Sequence, residues 1–97
     1  MYNVEYTSSF NRYFKKIKDK NFKDKLIEAV KLIKKSPYIG EEKKASLHNI
    51  FCYDIYYNKT NYELAYTIKE EQEKLVIVLL AGTRENFYKE LKRFIDS

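Results

Sequence analysis

A chain of 97 residues buries roughly two thirds of the surface that its unfolded form exposes, enough for one core and not two, so residues 1–97 are expected to form a single domain. The composition is 44% hydrophobic and 16% aromatic, with ten Tyr and six Phe, which predicts a core of rings with hydroxyls at its margins; one Cys and one His exclude an internal disulfide and a Cys/His metal cluster. A formal charge of +5 attracts polyanions (nucleic acid, the ribosome or an acidic protein), and the longest apolar run, Leu75 to Ala81, is far too short to cross a bilayer, so the chain is expected in reducing cytoplasm and on no membrane. Lys, Asn, Ile and Tyr are all abundant, as AT-rich coding would also make them, so charge alone does not choose a partner.

Tyr2, Val4 and Tyr6 alternate with Asn3, Glu5 and Thr7, the period-two pattern of a half-buried strand. Thr7, Ser8 and Ser9 supply N-cap candidates for an amphipathic helix carrying Phe10, Tyr13, Phe14 and Ile17. Asn21 is a candidate cap for a second helix, with Phe22, Leu26, Ala29, Val30 and Ile33 inward, until Ser36 and Pro37 stop it. The two form a hairpin with a lysine-rich outer surface. Tyr38 to Ser46 reads as a surface connection without a motif. Phe51, Tyr53, Ile55 and Tyr57 then alternate with Ile50, Cys52, Asp54 and Tyr56; Asn58, Lys59 and Thr60 make a turn, and Tyr62, Leu64, Tyr66 and Ile68 continue the pattern. A second turn falls within Lys69 to Glu73. Leu75 to Ala81 is apolar on both faces, as a central strand would be, and Gly82 is expected to break it. Phe87, Leu91, Phe94 and Ile95 define a last short helix. The expected fold is α+β: an N-terminal strand, a helical hairpin, a three-stranded antiparallel meander and a C-terminal helix, with the helices on one face of the sheet and the other face open.

Strand parity sorts the residues that carry chemistry. The ring-rich set on each strand faces the helices, which leaves His48, Ile50, Cys52, Asp54 and Tyr56 beside Glu63, Ala65 and Thr67 on the open face, with Arg84 and Tyr88 just after the central strand. An Arg, a Tyr, two carboxylates and a His are the kinds of group that cleavage of RNA through its own 2′-hydroxyl requires: a base, a charge stabiliser and an acid. Each also has a plain structural reading. Glu63 and Asp54 are carboxylates of the sort that pair with nearby Lys or Arg on a solvated sheet face. His48 stands at a strand entrance as a loop residue would, Tyr56 suits cross-strand packing, and Cys52 lies between aromatics as a small buried hydrophobe does. Arg84 stands apart: it is one of three arginines in a lysine-rich chain, at a strand-to-helix junction where a planar fork can meet a phosphate.

The element order, the strand Asn61-Tyr62-Glu63-Leu64-Ala65-Tyr66 and the run from Leu79 through Gly82-Thr83-Arg84 to Phe87-Tyr88 resemble the RelE/ParE superfamily of toxins from bacterial type II toxin-antitoxin systems, over nearly the whole chain. In RelE-like members a Gly-x-Arg after the last strand is followed by a Tyr, and Gly82, Arg84 and Tyr88 match that arrangement. The resemblance implies an mRNA interferase, an endoribonuclease that cuts mRNA in the ribosomal decoding site, inhibits translation and is neutralised by a cognate acidic antitoxin. Arg84 would stabilise charge on the scissile phosphate, and Tyr88 would donate a proton or stack on a base. No metal, cofactor or small-molecule partner is implied. In an ungapped match from Tyr62, Asp54, Tyr56 and Glu63 stand where RelE has two lysines and an arginine, so that cationic trio is absent. As in YoeB-like relatives, a carboxylate would then be the general base, Glu63 or Asp54, helped by Tyr56 or His48. Two other readings stay open: a ParE-like inhibitor of DNA gyrase that acts by binding, and an interaction module without poison activity.

Overall fold

The computed structural model describes residues 2–43 and 49–96 of the chain. Among them run β1 (Asn3–Tyr6), α1 (Ser8–Lys16), α2 (Lys20–Lys35), one turn of 3₁₀ helix (Pro37–Ile39), β2 (Glu41–Glu42), β3 (Ile50–Tyr57), β4 (Thr60–Lys69), β5 (Leu75–Thr83) and α3 (Arg84–Asp96). The strands form one sheet in the order β1-β5-β4-β3-β2, in which β3, β4 and β5 are the expected antiparallel meander and β1 pairs with β5 in parallel. No helix among the described residues is long and apolar enough to cross a membrane.

Thr7 joins the first strand to the first helix. Its hydroxyl accepts from the Phe10 N–H at 3.1 Å and donates to the Leu79 carbonyl at 2.6 Å, so one side chain caps α1 and ties it to β5. Leu79 is where β5 carries an extra residue, because Ala65 pairs with Leu80 but Tyr66 pairs with Val78. At the second helix the cap is Asp19 rather than Asn21: its carboxylate accepts from the N–H groups of Asn21 and Phe22 at 3.0 and 3.2 Å, and a negative charge there also suits the helix dipole. Asn58 and Lys59, both at positive φ, make the two-residue β3–β4 turn whose twist matches its strands.

The parity expectation holds on the first sheet face. Phe51, Ile55, Leu64, Tyr66, Val76, Val78 and Ala81 are buried against Phe10, Phe22, Leu26, Ala29, Val30 and Ile33 of the helical hairpin. The other face departs from expectation, since α3 does not join α1 and α2. Phe87 and Leu91, one helical turn apart, cover Ile50, Cys52 and Ala65 on the opposite side, with Leu79 and Leu80 at the margin. So many apolar side chains on one patch of sheet would not remain in water, and the last helix is the element able to shield them. The side chains of Phe94 and Ile95 lie outside the described residues. Gly82 does not end β5; the strand continues to Thr83, with Gly82 opposite Glu63. Nor is the segment after Pro37 merely a connection, because β2 pairs with β3 and adds a fifth strand.

Tyr66 anchors that fifth strand. Fully buried, its hydroxyl donates to the Pro37 carbonyl at 2.6 Å and accepts from the Gly40 N–H at 3.0 Å. A Cβ on Gly40 would stand 2.5 Å from the same hydroxyl, so glycine is needed for the approach. Tyr66→Phe leaves two backbone groups without their partner, and a loss of about 1–3 kcal/mol in urea-unfolding stability at an unchanged m-value is expected.

Candidate active site

The uncovered end of the second sheet face, beyond the ring of Phe87, is where the polar residues gather. Asp54 of β3 and Glu63 of β4 are direct cross-strand partners, and Gly82 of β5 completes the row. The absence of a side chain at Gly82 leaves this row open, with nothing within 4 Å of where a Cβ would lie. Arg84 and Tyr88, the first and fifth residues of α3, are spaced i, i+4 and so share the helix face turned toward the row.

Arg84 Nη2 lies 3.6 Å from Asp54 Oδ2, and the two side chains are 56% and 65% exposed. A pair so solvated contributes about 0.2–1 kcal/mol, and the guanidinium can exchange its partner at little cost. Glu63 is the opposite case. It is only 2% exposed, its Oε1 accepts from the Tyr88 hydroxyl at 3.4 Å, and its Oε2 has no partner. Burial first, then the neighbouring Asp54, raises its pKa above the ordinary carboxylate range, because the charged form has lost water and faces a second carboxylate. Tyr88, 39% exposed, stands edge-on to Phe87 and spans from that buried carboxylate to solvent.

The sheet thus brings together Arg84, Tyr88, Glu63 and Asp54. Tyr56 occupies the same face two residues along β3 from Asp54, exposed and level with Asn61. His48 lies outside the described residues. Cys52 is buried beneath α3, where burial and then Glu63 push its thiol up to about 12; it is an apolar filler and not a nucleophile. The structure adds a residue for which the sequence carries no signal beyond an unremarkable charged run. Lys43, just past β2, lies 2.8 Å from Glu41 and carries its ammonium 5.1 Å from the centre of the Tyr88 ring.

Among the described residues no group of three or more His, Cys, Asp or Glu is arranged to hold a metal ion. A concavity of about 840 Å³ lies between β1 and the helical hairpin, where Val4, Phe10, Phe14, Leu26 and Val30 line an apolar groove. Asp54, Glu63, Arg84 and Tyr88 lie on the other side of the sheet.

The sequence matches, over residues 4–92, the family described as ParE-like toxin of type II bacterial toxin-antitoxin system. No curated protein matches it significantly. Among solved structures, the fold is similar to the intact Escherichia coli RelBE toxin-antitoxin complex, with a TM-score of 0.68 at 18% identity over 84% of this chain and 95% of that one. The RelBE2 complex of Mycobacterium tuberculosis matches with a TM-score of 0.69 at 24% identity, over 86% and 98%. The isolated E. coli RelE toxin matches with a TM-score of 0.68 at 19% identity, over 96% and 98%.

Proposed function

The chain belongs to the family of ParE-like toxins of type II bacterial toxin-antitoxin systems, within the RelE/ParE superfamily, and from that premise we propose that it is an endoribonuclease cutting mRNA held by the ribosome. One observation carries the reading: the Tyr88 phenol reaches from solvent to the buried Glu63 carboxylate, with Arg84 beside it. A base shielded from water, a hydroxyl that can relay to it and an exchangeable guanidinium are what attack by a 2′-hydroxyl on its own 3′-phosphate requires. The 2′-hydroxyl gives its proton to the Tyr88 oxygen as the phenol passes its own to Glu63 Oε1. The new bond from the 2′-oxygen to phosphorus forms as the bond to the 5′-oxygen breaks, leaving a 2′,3′-cyclic phosphate. Arg84 stabilises the charge that builds on the non-bridging oxygens. The departing 5′-oxygen takes a proton from the open side of the groove, where Tyr56 stands.

A buried carboxylate is suited to the base role because its raised pKa makes it a stronger base than an exposed one. The site is a short row on an open sheet and not a cleft, so alignment of the RNA falls to the ribosome. A net charge of +5 and solved relatives that are complexes with antitoxins support a cognate acidic antitoxin, which should copurify on co-expression and relieve growth arrest.

Primer extension on mRNA in a translating extract, with and without ribosomes, is the decisive assay, run beside gyrase supercoiling. Stops that need both toxin and ribosomes are expected, with supercoiling intact. Blocked supercoiling with uncut mRNA would move the protein to gyrase inhibition, the alternative that the ParE-like family leaves in view.

A further inference from the structure

We infer that Lys43 is a second RNA-phosphate contact of this site, and that the Glu41 carboxylate holds the place of that phosphate in the free protein. The inference rests on the nucleic-acid reading above and adds a residue to it. Lys43 is fixed in position: its backbone N–H donates to the Ile50 carbonyl at 2.7 Å, extending the β2–β3 pairing by one residue. Glu41 is the direct partner of Cys52, so it stands on the same sheet face as Asp54 and Glu63. The lysine side chain bends onto that face, only 18% exposed, with its ammonium against Glu41 and near the Tyr88 ring.

The ion pair alone does not account for this arrangement. Holding a lysine side chain still removes much of its rotamer freedom, and an ion pair whose carboxylate is 78% exposed returns little for it. The cluster also lacks positive charge where RNA must approach, since Asp54 and Glu63 form an acidic pair and Arg84 lies on Asp54. Lys43 supplies it from the β2 side. The Lys43 ammonium, 2.8 Å away, is the main reason that the Glu41 carboxylate is held below the usual carboxylate range, with Arg84 adding to the same effect. A phosphate diester has the same charge and similar acceptor oxygens. The hydrogen bond to Glu41 and the contact with Tyr88 keep Lys43 protonated, so it acts as a fixed cation and not as a proton donor.

The test is binding of a short, uncleavable 2′-O-methyl single-stranded RNA to the whole protein, by fluorescence anisotropy from about 50 to about 200 mM salt. Lys43→Ala is expected to weaken binding roughly fivefold to tenfold and to lower the slope of log K against log salt by about 0.7, one single-strand phosphate contact. Lys43→Arg should restore both, and Glu41→Gln should tighten binding roughly threefold by removing the competing anion. Thermal midpoints monitor folding, with Lys43→Met keeping the aliphatic stem if Lys43→Ala unfolds. A folded Lys43 variant with the parent's affinity and slope overturns the inference, as does a parent that binds no RNA. If RNA binding depends on Lys43 but ribosome-held mRNA stays uncut, the phosphate contact stands and the nuclease reading fails.

Discussion

Arg84→Ala is expected to slow cleavage of ribosome-held mRNA by about 10² to 10³, the cost of removing one preorganised charge-stabilising donor. Stability should barely move. Among the described residues Arg84 pairs with Asp54, a contact solvated on both sides and contributing about 0.2–1 kcal/mol. Against this, a cation in the first turn of a helix opposes the helix dipole by roughly 0.3–1 kcal/mol, so the two effects nearly cancel. A residue that contributes so little to folding at that position is kept for another purpose, or for none. Arg84→Lys separates charge from shape, because an ammonium retains attraction but cannot offer two parallel N–H donors, and partial rescue is expected. Single-turnover cleavage with a thermal midpoint measured alongside decides the matter. A folded Arg84→Ala protein cutting at the parent rate would falsify the assignment.

Much of this geometry is legible in the sequence, for a definite reason. On β3 and β4 every second residue, from Phe51 to Tyr57 and from Tyr62 to Ile68, is a ring or an aliphatic, so the period identifies Asp54, Tyr56 and Glu63 as one set on the other face, and the i, i+4 spacing of Arg84 and Tyr88 identifies another. Periodicity tells which residues share a face, but not what lies across from it. Phe87 and Leu91 have the same spacing whichever side of the sheet they cover, and only the whole packing puts them over Cys52 and Ala65. That packing also shields Glu63, which looks in sequence like any acid on a solvated strand. β2 is illegible for another reason: two glutamates have no strand propensity, and they are extended because β3 offers an unpaired edge and Tyr66 holds the preceding turn. Lys43 is carried into place by that pairing, so its position has no local signature.

The site's second large effect should come from Glu63, where activity and stability are expected to move in opposite directions. Glu63→Gln keeps the shape but removes the proton acceptor, and cleavage should fall by about 10² to 10⁴, the range for a general base. The fold should gain. In the native protein the Glu63 pKa is raised above its unfolded value, so its favourable contribution is complete below the unfolded pKa and is lost as pH climbs through the folded one. Above that folded pKa the parent therefore carries a buried, partly unpartnered charge beside Asp54. A glutamine has no charge to bury, and its amide can donate to the Asp54 carboxylate, which an ionised glutamate cannot do. The midpoint of Glu63→Gln should thus exceed the parent's above the folded Glu63 pKa, and the difference should vanish as pH falls below the carboxylate range. The parent's rate should rise with pH along an acid limb displaced upward from ordinary carboxylates, and that limb should be missing from any residual activity of the variant. Tyr88→Phe interrupts the relay while leaving the carboxylate, so it should lose activity without the gain in stability. If Glu63 is only a structural acid, Glu63→Gln would keep the parent's rate and pH profile, and the base would have to be sought at Asp54, which faces solvent on the same row.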